Sequence, residues 1–394
     1  MNILIIGNGF DIAHGLPTTY KDFLKFIKYI KYIYCFRYSI DQATKVFETL
    51  MEDDKPHKGV AQYIYTVIRY DKAENLGYIL FGKHPNEIID KLIKLSENNI
   101  WINWFNKSET LLKDGWIDFE LEISRVVQNF ESIFKEVTNR KLDSKTLSEE
   151  NIKIIKLFTN YKVGINKLTA DDFKDYKNKM IRDLNNLIRC LELYLEDCVR
   201  NIDKSLLSQD IYDLNIDKVL SFNYTDTYDR LYSCKNRNIE YDYIHGKSKL
   251  EDSPANNMVL GIDEYLKGDE RNTNVDYIEF KKYYQRIHKA TGCAYKKWLE
   301  EIDKSESEEH NVYIFGHSLA ETDKDILKEI LTKKNVKTTI YYHNSESYGE
   351  QIANLVKVLK QDELISMFYG TNPKLRFELQ KPMVDKNNFR MANT

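Results

Sequence analysis

The sequence predicts an α/β fold, a Rossmann-like parallel sheet interrupted by a large α-helical insertion. Three observations carry that prediction. The chain opens on an apolar run, Asn2–Ile6, that passes directly into Gly7-Asn8-Gly9. From about residue 216 onward, short β-rich runs alternate with helical patterns, the signature of strands joined by helical crossovers. Between residues 20 and 210 the apolar residues instead recur every three or four positions, as on one face of a helix.

Each element follows from its own pattern. "NILII" reads as a buried strand, and the glycines after it as a tight turn into a short helix. Phe173, Tyr176, Met180, Leu184, Leu187, Leu191, Leu195 and Cys198 form one long amphipathic stripe, with Thr169 ahead of Asp172 as its N-terminal cap. Residues 121–134 give a second stripe just after "WIDFE" (116–120). Both stripes read first as helix-bundle core. "DKVLSF" (217–222), "YDYIH" (241–245), "NMVLGI" (257–262), "NVYIFG" (311–316) and "TTIYYH" (338–343) read as strands, with helices expected over 322–331 and 350–359. The economical organisation is an α/β domain of residues 1–19 plus 211–394, with 20–210 as a helical subdomain.

Composition narrows the class. At 394 residues the chain exceeds what one hydrophobic core usually fills. A net charge of −3 argues against a broad basic surface for nucleic acid. The five cysteines (Cys35, Cys190, Cys198, Cys234, Cys293) contain no Cys-x-x-Cys pair, so no metal site is expected and free thiols in a reducing cytoplasm are. No apolar run reaches 18 residues and the first strand starts at residue 2, so neither membrane insertion nor a signal segment is expected.

Ligands of open parallel sheets lie beyond the carboxyl ends of the strands, and the polar residues concentrate there. After the successive strands come Gly7-Asn8-Gly9-Phe10-Asp11, then Asn223-Tyr224-Thr225-Asp226, His245-Gly246, Gly316-His317-Ser318 and His343-Asn344. Taken alone, Gly7-x-Gly9 serves equally well as a tight turn or as a place where backbone N–H groups approach a phosphate. A histidine before a glycine is equally often a hydrogen-bonded turn residue.

As an ordered set these residues are more specific. Gly7-x-Gly9-Phe10-Asp11, Gly15-Leu16-Pro17, Asn223 with Asp226, His245-Gly246 and Gly316-His317-Ser318-Leu319 resemble the NAD-binding fold of sirtuins. "NGFDIAHGLPTTYKDF", "SFNYTDTYD", "YIHGKS" and "IFGHSLAETDKDIL" resemble the AbiH family of bacterial abortive-infection proteins over nearly the whole chain, and "WIDFE" is similar to that family's Trp-x-Asp-x-Glu segment. The family resemblance implies antiphage defence. The sirtuin resemblance implies NAD⁺ as ligand or substrate. Gly7, Gly9 and Asp11 would line pyrophosphate and ribose, with Asn8, Phe10, His14, Gly316 and His317 in the same binding set. Ser318 would approach a phosphate and Asn344 the adenosine ribose. Asn223 would position water or the nicotinamide ribose, Asp226 would touch the carboxamide, and His245 would be the base. Glu120 joins these as an additional candidate from the helical block.

There are departures as well. The four zinc cysteines of sirtuin deacetylases are missing, which removes protein deacetylation. No arginine follows Gly15-Leu16-Pro17, and Asn223 and Asp226 stand one residue further apart than in sirtuins. The expectation is therefore an NAD⁺ glycohydrolase of phage defence, triggered by a phage-encoded partner, with self-association compatible with the sequence. Two rivals stand beside it. One is a non-catalytic nucleotide-binding sensor. The other is a serine hydrolase with Ser318 as nucleophile, since "VYIFGHSLA" (312–320) has the strand, Gly-x-Ser-x-small and helix pattern of a nucleophile elbow.

Overall fold

The computed structural model describes residues 1–35, 41–42, 45, 85–107, 119–138, 148–158, 168–202, 206–232, 238–249, 256–305 and 307–386. The chain forms two compact units. The first comprises Met1–Thr18, Val199–Glu251 and Lys289–Thr394, the second Thr19–Cys198 and Asp252–His288. Among the described residues no helix is long and apolar enough to cross a membrane.

Among the described residues the first unit holds every strand: β1 (Asn2–Ile6), β2 (Leu206–Leu207), β3 (Lys218–Ser221), β4 (Glu240–Tyr243), β5 (His310–Phe315), β6 (Val336–Tyr342), β7 (Leu375–Leu379) and β8 (Val384–Asp385). Six of them form one sheet in the order β4-β3-β1-β5-β6-β7, and every pairing in it is parallel. β2 and β8 make a separate antiparallel pair. From β1 the chain builds outward through β3 and β4, then returns to the other side of β1 for β5, β6 and β7. This is the strand order of the doubly wound fold.

β1 is apolar along its length because both of its faces are covered, as in parallel sheets generally. Successive side chains alternate between faces. Ile3 and Ile5 join Leu220, Val312, Ile314 and Ile340 in one core, completed by helices Tyr295–Lys304, Lys324–Leu331 and Ser345–Leu359. Leu4 and Ile6 join Val219, Phe315 and Tyr341 in the other, with Phe10, Tyr228 and Tyr232. Each fully buried aliphatic side chain contributes about 1.5–3 kcal/mol. β1 is thus the hydrophobic centre of this unit.

Two local expectations are corrected. Residues 257–262 form no strand; their only β contact is an isolated bridge, Ile262 with Lys281, and the segment lies in the second unit. β7 supplies the outer strand instead. The helix expected over 350–359 begins earlier, at Ser345, because Asn344 caps it.

The second unit is helical, with Tyr20–Cys35, Pro85–Ser96, Ile100–Lys107, Phe119–Thr138, Glu149–Phe158 and Ala170–Leu193 as its main elements. Thr169 and Asp172 form the expected capping box for the last of these, which runs on into a π turn at Tyr194–Cys198. The Phe119 ring is stacked between Tyr20 and Phe105 at centroid distances of 4.0 and 3.9 Å. Asn99 donates from its amide to Asp183 O at 2.7 Å, and the Asp183 carboxylate accepts from Ile100 N–H and Lys179. The returning segment 256–288 is tied in by polar contacts. Tyr265 OH and Asn274 both donate to Glu131, Lys281 pairs with Glu264, and Lys282 lies 2.6 Å from Glu120.

Candidate functional site

In a doubly wound sheet the ligand crevice opens at the carboxyl edge where the strand order reverses, here between β1 and β5. A single rung of the sheet organises that edge. Ile6 is paired with Ser221 on one side and Phe315 on the other, and Ser221 is paired with Tyr243. Immediately beyond this rung stand Gly7, Asn223, His245 and Gly316-His317.

The glycines interlock at the reversal. Gly9 N–H donates to Gly316 O at 2.8 Å. Gly316 has φ +67°, and a Cβ there would lie 2.0 Å from Phe10 N. A Cβ on Gly7 or Gly9 would likewise meet the backbone of Gly316 or His317 within 3.0 Å. These residues are glycine so that two loops can touch backbone to backbone. Phe10 N–H donates to Gly7 O at 2.8 Å, so two of the turn N–H groups expected to face a phosphate are engaged within the protein.

Asn223 is buried and its amide donates to Gly7 O at 2.9 Å. Its own backbone N–H donates to Ser221 Oγ, which donates back to Asn223 O. The loop is therefore locked before any ligand arrives. Beside it, Thr225 donates to buried Asp11 at 2.6 Å, and Thr227 donates to Thr225. Asp226 lies 3.1 Å from Arg200 and 3.3 Å from Lys247, which makes it the anchor of two cations. Burial, followed by the carboxylates of Asp226, Asp229 and Asp11, pushes the Tyr243 phenol well above its ordinary range and keeps it neutral.

The histidines meet on one carboxylate. His245 Nε2 and His317 Nε2 each lie 3.5 Å from an oxygen of Asp323, and the Phe222 ring makes T-shaped contacts with both imidazoles. His317 Nδ1 accepts the Leu319 N–H at 2.9 Å. Its remaining nitrogen is thereby turned to Asp323. Among the described residues no group of three or more His, Cys, Asp or Glu side chains is placed to hold a metal ion.

A family model described as "Bacteriophage abortive infection AbiH" matches residues 3–343. The chain belongs to the AbiH family. Membership supports a role in abortive-infection defence against phage. The match runs from β1 through the end of β6 and contains the whole rung and its loops. No curated protein and no solved structure matches the chain.

Other candidate residues of this AbiH-family chain lie elsewhere or do other work. Phe10 is fully buried among Tyr228, Tyr232, Phe315 and His14, a core position. His14 Nδ1 is 2.6 Å from Phe10 O and Nε2 is 2.7 Å from the Tyr232 hydroxyl. A carbonyl oxygen only accepts, so Nδ1–H donates to Phe10 O, and in the neutral ring Nε2 accepts from the Tyr232 hydroxyl, which itself accepts Ser208 N–H. Both nitrogens of His14 are thus bound within the fold. Asn8 accepts from Thr18. Asn344 is exposed, and its side chain caps helix Ser345–Leu359. Glu120 belongs to the second unit, paired with Lys282. Ser318 is exposed, but the positive φ that a nucleophile elbow requires falls on Gly316 and Leu319 instead. Asp323, Arg200 and Lys247 lie outside the strand-end residues to which the sequence points. Asp323 stands inside the quoted motif "IFGHSLAETDKDIL", and its distance of six residues from His317 was the available signal.

Proposed function

We propose that this AbiH-family protein acts in abortive infection by binding NAD⁺ at the carboxyl edge of the sheet and, once triggered, hydrolysing its nicotinamide–ribose bond. One observation carries the reading. A single rung sets Asn223, His245 and the interlocked glycines side by side at the reversal of strand order.

In the reaction the ribose C1′–nitrogen bond breaks and nicotinamide leaves with the bonding pair. A water oxygen bonds to the same carbon, and the surplus proton passes to His245. An imidazole titrates near neutrality and suits that task. With its NH₂ held by Gly7 O, the Asn223 carboxamide presents its oxygen in a fixed orientation, as a water-positioning group needs. Arg200 and Lys247, both paired with Asp226, are cations at this edge available to a pyrophosphate.

The test follows NAD⁺ and nicotinamide by chromatography in host cells expressing the protein, before and after phage infection. The wild type is expected to deplete NAD⁺ on infection and release nicotinamide. Asn223→Ala and His245→Ala are each expected to slow this by about 10²–10⁴-fold. Equal nicotinamide in all three overturns the enzymatic reading. Calorimetric titration of purified protein with NAD⁺ then separates a binding sensor from a protein with no nucleotide site.

A further inference from the structure

We propose that Asp323 is a positioning residue of this site, one carboxylate shared by His245 and His317 that orients both rings and sets the protonation of His245. The inference rests on the reading of His245 as proton acceptor and deepens it. Asp323 ends the 3₁₀ turn Glu321–Asp323, directly before helix Lys324–Leu331, and its side chain is 12% exposed. Its two oxygens each face a different imidazole, Oδ1 toward His245 Nε2 and Oδ2 toward His317 Nε2, both at 3.5 Å. The two rings come from different crossovers, His245 after β4 and His317 after β5. Asp323 therefore links opposite sides of β1 across the reversal. Phe222 lies against both rings, and among the described residues the ionisable Tyr224 ring also contacts His245, at 6.3 Å.

A carboxylate at this distance favours a protonated imidazole. Of the two rings only His245 can gain a proton without losing a hydrogen bond, because His317 Nδ1 already accepts the Leu319 N–H. The roles of the two rings differ. His317 Nδ1 accepts Leu319 N–H, which fixes its ring and keeps its proton on the side of Asp323. Proton transfer is thereby assigned to His245, with His317 as the fixed partner that tunes it through Asp323.

Histidine-selective ¹⁵N NMR of the full chain tests this without substrate, the two rings being assigned with His245→Asn and His317→Asn. In Asp323→Asn the His245 ring is expected to titrate about one pH unit or more lower than in the wild type. Asp323→Glu retains the charge and restores the wild-type midpoint in large part; Asp325→Asn, in the following helix, leaves it unchanged. His317→Asn is expected to move the His245 titration by removing the Nε2–H that His317 turns to Asp323. If His245 titrates at the same pH in the wild type and Asp323→Asn, the proposal is overturned, whatever the activity. If the titrations move as stated while infected cells lose no NAD⁺, the proposed reaction falls and the shared carboxylate stands. Where NAD⁺ is cleaved, Asp323→Asn lowers kcat with KM nearly unchanged and moves the acid limb of the rate profile to lower pH.

Discussion

Gly316 concentrates the demands of the site in one residue. Its φ of +67° is disfavoured for any side chain, and a Cβ there would stand 2.0 Å from Phe10 N and 2.4 Å from Gly9 C, all of it backbone. Gly316→Ala is expected to destabilise the first unit by on the order of 3 kcal/mol or more. That corresponds to a fall in Tm of roughly 6–12 °C, measured by calorimetry. Gly349 is the opposite case, a helical glycine with nothing within 4 Å of where a Cβ would stand and an ordinary φ. Gly349→Ala is expected to stabilise by about 0.5–1 kcal/mol. Asn344 offers a third contrast, between a cap and a ribose contact. Asn344→Ala is expected to cost about 1 kcal/mol of stability and leave the NAD⁺ titration unchanged; a large loss of NAD⁺ affinity at unchanged Tm would restore its expected ligand role. Phe10 and His14 show why single residues were the hardest to read. Both lie within "NGFDIAH", where sequence places them near the turn, but in a helical turn one face points into the core, and these two are on that face.

At the scale of elements, apolar runs identified strands where both faces of a strand are covered. β1 is of this kind, and so are β3, β5 and β6, each bracketed by neighbours. β7 is an edge strand whose Leu379 is exposed, and its mixed pattern carried little signal. "NMVLGI" misled for the converse reason: its apolar run is buried by packing in the second unit, and burial without a ladder has no distinct period. What ties the segment there is long-range and polar, above all Glu131. Burial raises the Glu131 carboxyl, but hydrogen bonds from Tyr265 and Lys135, with Asn274, outweigh it and hold the group below its ordinary value. Its folded value is therefore lower than its unfolded value of about 4.3. The stabilisation is complete above that pH and is lost as pH falls through the folded value. Thermal melts of the wild type are expected to lose Tm over this acid window more steeply than those of Glu131→Gln; parallel curves would show that the contact carries no linked stability.

For the molecule as a whole, the carboxyl-edge set was legible because strand ends recur in a fixed order, and a parallel sheet places all such ends along one side. The Asn223–Gly7 hydrogen bond and the carboxylate between two imidazoles were not, since residues 216 and 78 apart meet only once the register of β1 with its neighbours is set. That register has a further consequence for biogenesis. β1 is made before both of its partners, which lie at Lys218–Ser221 and His310–Phe315. At ordinary ribosomal speeds of about 5–20 residues per second, the strand waits some 10–60 s for them. Through that interval "NILII" has neither of its ladder partners on the nascent chain, although it becomes the middle of the finished sheet.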